Sequence, residues 1–127
     1  MTFKQILPTL LGICFIVFAA MQYNDPDAVV WIAVYLLAAV FSFLVAFNRI
    51  NQALLMSAFV AYAVGAIYFW PEKWEGIAIG GGDIKNIEEA RESLGLALVS
   101  LAMLLFAFFV RSKARLHPRK TMARQNK

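Results

Sequence analysis

One histidine, His117, and one cysteine, Cys14, are all that this sequence holds of the side chains that ligate soft metals. A lone cysteine excludes an internal disulfide, a CxxC redox pair and a cysteine-rich zinc site. A lone histidine leaves no pair to hold a haem or a transition metal inside a helical bundle, so no haem or redox cofactor is expected. Charge is scarce too. Charged residues are 16% of the chain, against about 25% in an average soluble domain. What takes their place is hydrocarbon: 61% of the 127 residues are hydrophobic. A soluble fold of this length could not hide so much apolar surface, so the surplus points to the lipid bilayer as the chain's main partner. The length suits one domain.

The apolar residues fall into four runs, roughly Ile6–Tyr23, Val29–Phe47, Ala53–Trp70 and Leu94–Val110, none of which contains Asp, Glu, Lys, Arg or His. At about 1.5 Å per residue such runs cover about 26–29 Å, close to a bilayer core of roughly 30 Å. Only helices or closed barrels cross a bilayer, and barrel strands would be about ten residues long and alternate in polarity. The expected fold is therefore all-α: four transmembrane helices in an antiparallel bundle over residues 1–110, followed by a basic tail over 111–127.

Charge placement gives a direction. All eight acids lie after the first run (Asp25 and Asp27) or between the third and fourth (Glu72, Glu75, Asp83, Glu88, Glu89 and Glu92). Only three bases, Lys73, Lys85 and Arg91, share those segments. Lys4, Arg49 and the tail bases Arg111, Lys113, Arg115, Arg119, Lys120, Arg124 and Lys127 stand on the other side with no acid. The positive-inside rule then places both termini in the cytoplasm. The first run is longer than the usual signal-peptide core, and Phe18 spoils an A-x-A site ending at Ala20, so it is expected to stay as a span. A multi-pass protein of the cell membrane is the expectation for a bacterial chain of this size.

The connections carry most of the polar chemistry. In Asn24-Asp25-Pro26-Asp27, Asn24 suits the left-handed end of a helix. Asp25 suits the N-cap of the next helix with Pro26 at its first position, and Asp27 adds an acid to the first turn. The same turn presents a pair of carboxylates that could bind a cation or a partner. Asn48–Gln52 is a second short turn. The third helix carries Ala53, Ser57, Ala61 and Gly65 at spacing four, a smooth face for close packing inside the bundle or against another copy. Between Pro71 and Ser93, Gly80-Gly81-Gly82 is a flexible break. Asn86 with Glu89 then fits a capping box that opens a helix running unbroken into the last span. On its first turns Glu88 lies three residues from Arg91 and four from Glu92, and Glu89 three from Glu92, on neighbouring parts of the helix surface.

Tyr23, Trp31, Tyr68, Trp70 and Trp74 mark the acidic side as an interfacial aromatic belt. If Trp31 faces the bundle, Tyr35, one turn below, points into a pocket floored by the carboxylates. The tail anchors the topology and suits anionic lipid headgroups. It has no aromatic residue for stacking on bases, so nucleic acid is not an expected partner.

Together these features resemble the transmembrane protein 220 family, small four-helix membrane proteins. The likeness rests on Asn24-Asp25-Pro26-Asp27, Trp31 and Tyr35, and Glu88-Glu89-Ala90-Arg91-Glu92 with Gly95. It covers nearly all of the chain outside the tail. It implies four uncleaved helices and one site built from Trp31 and both acidic motifs on the outward side. It brings no substrate and no catalytic residue.

Three functions fit these residues. The first is a non-enzymatic membrane protein whose outer face binds a divalent cation or a protein partner through Asp25, Asp27, Glu88, Glu89 and Glu92, oxygen donors that suit a hard cation. Its structural version is a clasp in which Arg91 pairs with Asp25 or Asp27, with Asn24, Trp31 and Tyr35 as its surroundings. An Arg91→Glu swap, with rescue by restored opposite charge, separates the two. The second is a metal-dependent hydrolase at the membrane surface, with no Ser–His or Cys–His pair to offer on the acidic side. The third is a transporter or channel subunit, although the spans hold none of the ionisable residues that carriers usually place there.

Overall fold

The computed structural model describes residues 2–78 and 80–115, with side chains described as far as residue 110. These residues form four helices and no strand: α1 (Phe3–Ala20), α2 (Ala28–Ala46), α3 (Gln52–Tyr68) and α4 (Ile84–Arg115). The helices α1, α2 and Ile84–Val110 of α4 are long and apolar enough to cross a membrane; α3 is a shorter apolar helix of 17 residues. Hydrogen bonds from Phe69 N–H to Gly65 and from Trp70 N–H to Ile67 carry the α3 turn to Trp70. Pro71 then stops it, because Pro lacks the donor and crowds the residue before it.

The chain divides into two compact units, Met1–Leu55 with Leu105–Lys127, and Met56–Leu104. In the first, α1 and α2 form an antiparallel hairpin. Pro8, Gly12, Phe15 and Ala19 make the buried stripe of α1; Trp31, Tyr35, Ala38, Ser42 and Val45 make that of α2, together with the neighbouring Ala39 and Ala46. Both stripes repeat every three or four residues, as one helix face requires. The Phe43 ring lies directly on Gly12: a Cβ there would stand 2.8 Å from Phe43 Cε1. Nearer the turn, the Phe18 and Tyr35 rings meet edge to face with centroids 5.7 Å apart.

Two turn asparagines join α2 to α3. Asn48 takes φ 59°, the one non-glycine residue with positive φ among the described residues. Arg49 N–H donates to Leu44 O at 2.8 Å and Asn48 N–H to Val45 O at 3.2 Å, the paired bonds of a Schellman end. Asn51 then caps α3, its Oδ1 accepting from Leu54 N–H at 2.8 Å. The left-handed residue was expected at Asn24; the structure puts it at Asn48, where the helix must end within a few residues of the next one.

In the second unit α3 and α4 run antiparallel and are joined by serine hydroxyls. Ser93 Oγ donates to Ala66 O at 2.6 Å, and Ser100 Oγ to Phe59 O at 3.2 Å. The donors are seven residues apart on α4 and the acceptors seven apart on α3, two helical turns in each case. In the first unit Gln52 Nε2 donates to Ala107 O at 3.3 Å, a further seven residues along each helix. On the small stripe of α3, Gly65 is closely met by Leu96; a Cβ there would lie 3.2 Å from Leu96 Cδ1. Ala53, Ser57 and Ala61 are exposed, while Leu55, Ala58 and Tyr62 are buried. The face that α3 buries is therefore one or two positions away from the spacing-four stripe, which leaves the exposed Ala53, Ser57 and Ala61 to the other expectation, packing against another copy.

Candidate functional site: the acidic helix end

The acidic residues divide by what their oxygens do. In the first unit, Asp25 Oδ1 accepts from Asp27 N–H at 2.9 Å, and Asp25 O accepts from Ala28 N–H at 3.1 Å. Asp25 thus caps a single tight turn over Pro26 and Asp27. The regular helix begins one turn later, at Ala28, with Asp27 as its N-cap residue. This corrects the expected boundary: Pro26 sits in that preliminary turn rather than at the start of α2. The Asp27 carboxylate makes no capping bond and is exposed. Asn24 is exposed beside it.

Trp31 is only 3% exposed, against 72% for Tyr23, 80% for Tyr68 and 55% for Trp70. Four of the five expected belt aromatics are open, and Trp31 is a core residue instead. Tyr35, one turn on, is buried too. No buried side-chain nitrogen or oxygen among the described residues lacks a hydrogen-bond partner.

In the second unit the loop after Pro71 is strapped to the start of α4. Glu75 is the strap. Its Oε2 accepts from Asp83 N–H, and its Oε1 accepts from Asn86 Nδ2 at 3.4 Å. Lys73 Nζ reaches the same carboxylate at 4.0 Å. Gly82 lies directly against this carboxylate, and a Cβ there would displace the Glu75 side chain. Asp83 then caps α4, its Oδ1 accepting from Lys85 N–H at 3.1 Å. The capping box expected at Asn86 and Glu89 is thus overturned: α4 begins three residues earlier than Asn86 would start it, and Asn86 serves the strap. The unbroken run into the last span is as expected, with 32 residues in one helix.

Arg91 lies on the exposed side of α4 and donates Nε–H to Ile77 O at 2.7 Å. This bond ties the far side of the loop to α4 and uses one of five guanidinium donors. Glu88 is exposed and Glu89 half-buried. Among the described residues, the carboxylates of Asp27, Glu72, Glu88 and Glu89 have no hydrogen-bond or ion-pair partner, whereas Glu92 is engaged. The expected site residues therefore separate into structural oxygens (Asp25), an engaged one (Glu92) and free ones (Asp27, Glu88 and Glu89). No group of three or more His, Cys, Asp or Glu side chains among the described residues is placed to hold a metal.

The model of transmembrane family 220 matches residues 14–108. The chain belongs to that family. The matched stretch contains the Asn24–Asp27 turn, Trp31, Tyr35, the Glu75 strap and the acidic turns of α4. Family membership and the long apolar helices make it an integral membrane protein. No solved structure matches the chain.

Sequence reasoning missed Glu75, Gly82 and Asp83 as a unit, and Ile77 as the partner of Arg91. Asp83 directly after three glycines is itself a capping signal. The N-x-x-E pattern three residues later competed with it. The Glu75 strap joins positions eight and eleven residues apart across a glycine turn, a contact that no local pattern encodes. The basic tail beyond residue 115, with the anionic-lipid role expected of it, lies outside the described residues.

Proposed function

We propose that this family member is a non-enzymatic membrane protein that presents the acidic end of α4 to a basic segment of a protein partner. The observation that carries the proposal is the free pair Glu88 and Glu89 on a helix end that is held rigid by other residues. The 32 residues of α4 span about 48 Å, well beyond a bilayer core of roughly 30 Å. Its first turns, through Glu92, therefore project out of the hydrocarbon. The Glu75 strap and the Arg91–Ile77 bond fix that projection, so the free carboxylates are displayed on an ordered surface, which lowers the cost of ordering on binding.

A basic partner fits better than a compact divalent site, because the free carboxylates do not gather into a set of metal ligands. The positive-inside rule supports an orientation with both termini cytoplasmic and the acidic segments on the opposite face. The proposal is tested by titrating the purified chain with a lysine-rich probe peptide. Binding is expected to weaken with added salt, since exposed pairs are screened, and to fall in Glu88→Gln/Glu89→Gln. Binding that is indifferent to both changes would reject it. A saturable rise in melting temperature with one divalent ion, lost in the same variant, would assign the face to a cation instead. The charge swap at Arg91 remains the test of the clasp expected from the sequence.

A further inference from the structure

We propose that a lateral groove of the second unit holds the upper part of one acyl chain of a zwitterionic phospholipid, with the headgroup read by Glu72, Lys73 and the Trp70–Trp74 pair. The groove has a volume of about 390 Å³ and is lined by Ala66, Ile67, Trp70, Ser93 and Ala97. Ala66 and Ala97 make the concavity because they are small; the exposed Ile67 and Trp70 form its wall. Ser93 is the one hydroxyl in the lining, and its proton is already given to Ala66 O. The groove thus asks for no polar contact, and a dry apolar slot on a membrane helix pair suits hydrocarbon. It is also short, one turn on α3 and one on α4. A second helix, about 10 Å across, packs through residues repeated over several turns, so a single chain of methylenes fits better than another copy.

Trp70 links the groove to the headgroup level. Its ring stacks on Trp74 with centroids 5.2 Å apart and planes at 18°, and each indole is about half exposed, 55% and 48%. The open indole faces attract an ammonium. Glu72 stands between the two tryptophans in sequence, and its carboxylate has no partner among the described residues. Lys73 is 77% exposed and only loosely paired with Glu75 at 4.0 Å, an arrangement worth little in water. Glu75 itself is spent on Asp83 and Asn86. One free carboxylate and one available ammonium complement the ammonium and phosphate of a zwitterionic headgroup. An anionic headgroup would leave Glu72 unpaired and repelled.

The test is native mass spectrometry of the full chain in detergent with equimolar phosphatidylethanolamine and phosphatidylglycerol of identical acyl chains. The zwitterionic lipid is expected to be retained in preference by on the order of tenfold, the combined effect of one cation–π contact and one weak ion pair. Ala97→Phe, which fills the groove, should remove the retention; Glu72→Gln should keep retention and cut the preference to the few-fold that the cation–π contact alone supplies. Equal retention of both lipids, or retention indifferent to Ala97→Phe, overturns the proposal. So does a dimer that Ala97→Phe splits, which would give the groove to a second copy. Should Ala97→Phe not fold, the wild-type chain still decides. Its tryptophan emission should be quenched at lower mole fraction by brominated phosphatidylethanolamine than by brominated phosphatidylglycerol, and equal quenching contradicts the assignment.

Discussion

Ser93 gives its hydroxyl proton to the Ala66 carbonyl across 2.6 Å and so bolts α4 to α3 at the acidic end of the second unit. Seven residues on, Ser100 repeats the bond to Phe59. Between helices whose outer surfaces face hydrocarbon, packing gains little from the hydrophobic effect, and such bonds together with close backbone approach set the register. Ser93→Ala and Ser100→Ala are each expected to cost about 0.6 kcal/mol, up to roughly 1.7. Reversible unfolding in mixed micelles measures this, and the two losses should be close to additive because the sites are two turns apart.

Gly12 is the corresponding point of the α1–α2 hairpin. A Cβ there meets the Phe43 ring at 2.8 Å, so Gly12→Ala should destabilise the protein by about 1–3 kcal/mol through overpacking. Phe43→Leu in the same chain should recover much of the loss. A Gly12→Ala variant as stable as wild type would show that the ring moves freely.

The strap makes a prediction about local opening. Removing the Glu75 carboxylate in Glu75→Gln weakens a charged cap at Asp83 N–H and the bond from Asn86, at a cost of about 1–2 kcal/mol. Hydrogen exchange should quicken at Asp83, Ile84 and Lys85 and stay unchanged at Val99 and Ser100. Gly82→Ala should reproduce that pattern, because its methyl group displaces the same carboxylate.

Asn48 holds a conformation that β-branched residues avoid. Asn48→Val should be less stable than Asn48→Gly by about 1–2 kcal/mol, since both lose the asparagine side chain and only valine resists positive φ. Equal stability of the two would mean that the turn after α2 does not depend on the left-handed residue.

Much of this fold was legible because each run had no ionisable residue and a length set by the bilayer. The all-helical class and the four helices followed from that; the uninterrupted entry into α4 was expected from a capping box at Asn86 and Glu89, which the structure replaces with a cap at Asp83. Helix ends were harder. Asn24 and Asn48 are equally able to take positive φ, and only the tight return from α2 into α3 decides between them. Asp83 and Asn86 are both capping residues, and the choice was made by Glu75, distant in sequence. The stripe of Ala53, Ser57, Ala61 and Gly65 shows the limit of spacing as a guide. Small residues at spacing four mark a smooth face, but within the chain α4 packs where Ser93 and Ser100 find carbonyls, which leaves that face to the expected alternative of another copy. In the acidic cluster, composition named every carboxylate. It could not separate Asp25, used by its own turn, from Glu88 and Glu89, which are free.

The proposed role requires the acidic turns of α4 to be displayed on the face opposite the basic ends. Single cysteines at Glu88 and at Arg49, placed in a Cys14→Ala background, test this with a membrane-impermeant thiol reagent on intact cells. Labelling of Glu88→Cys in intact cells, with Arg49→Cys labelled only after permeabilisation, is the predicted result. Labelling of Arg49→Cys in intact cells with Glu88→Cys protected would contradict it and remove the acidic face from the reach of an outer partner.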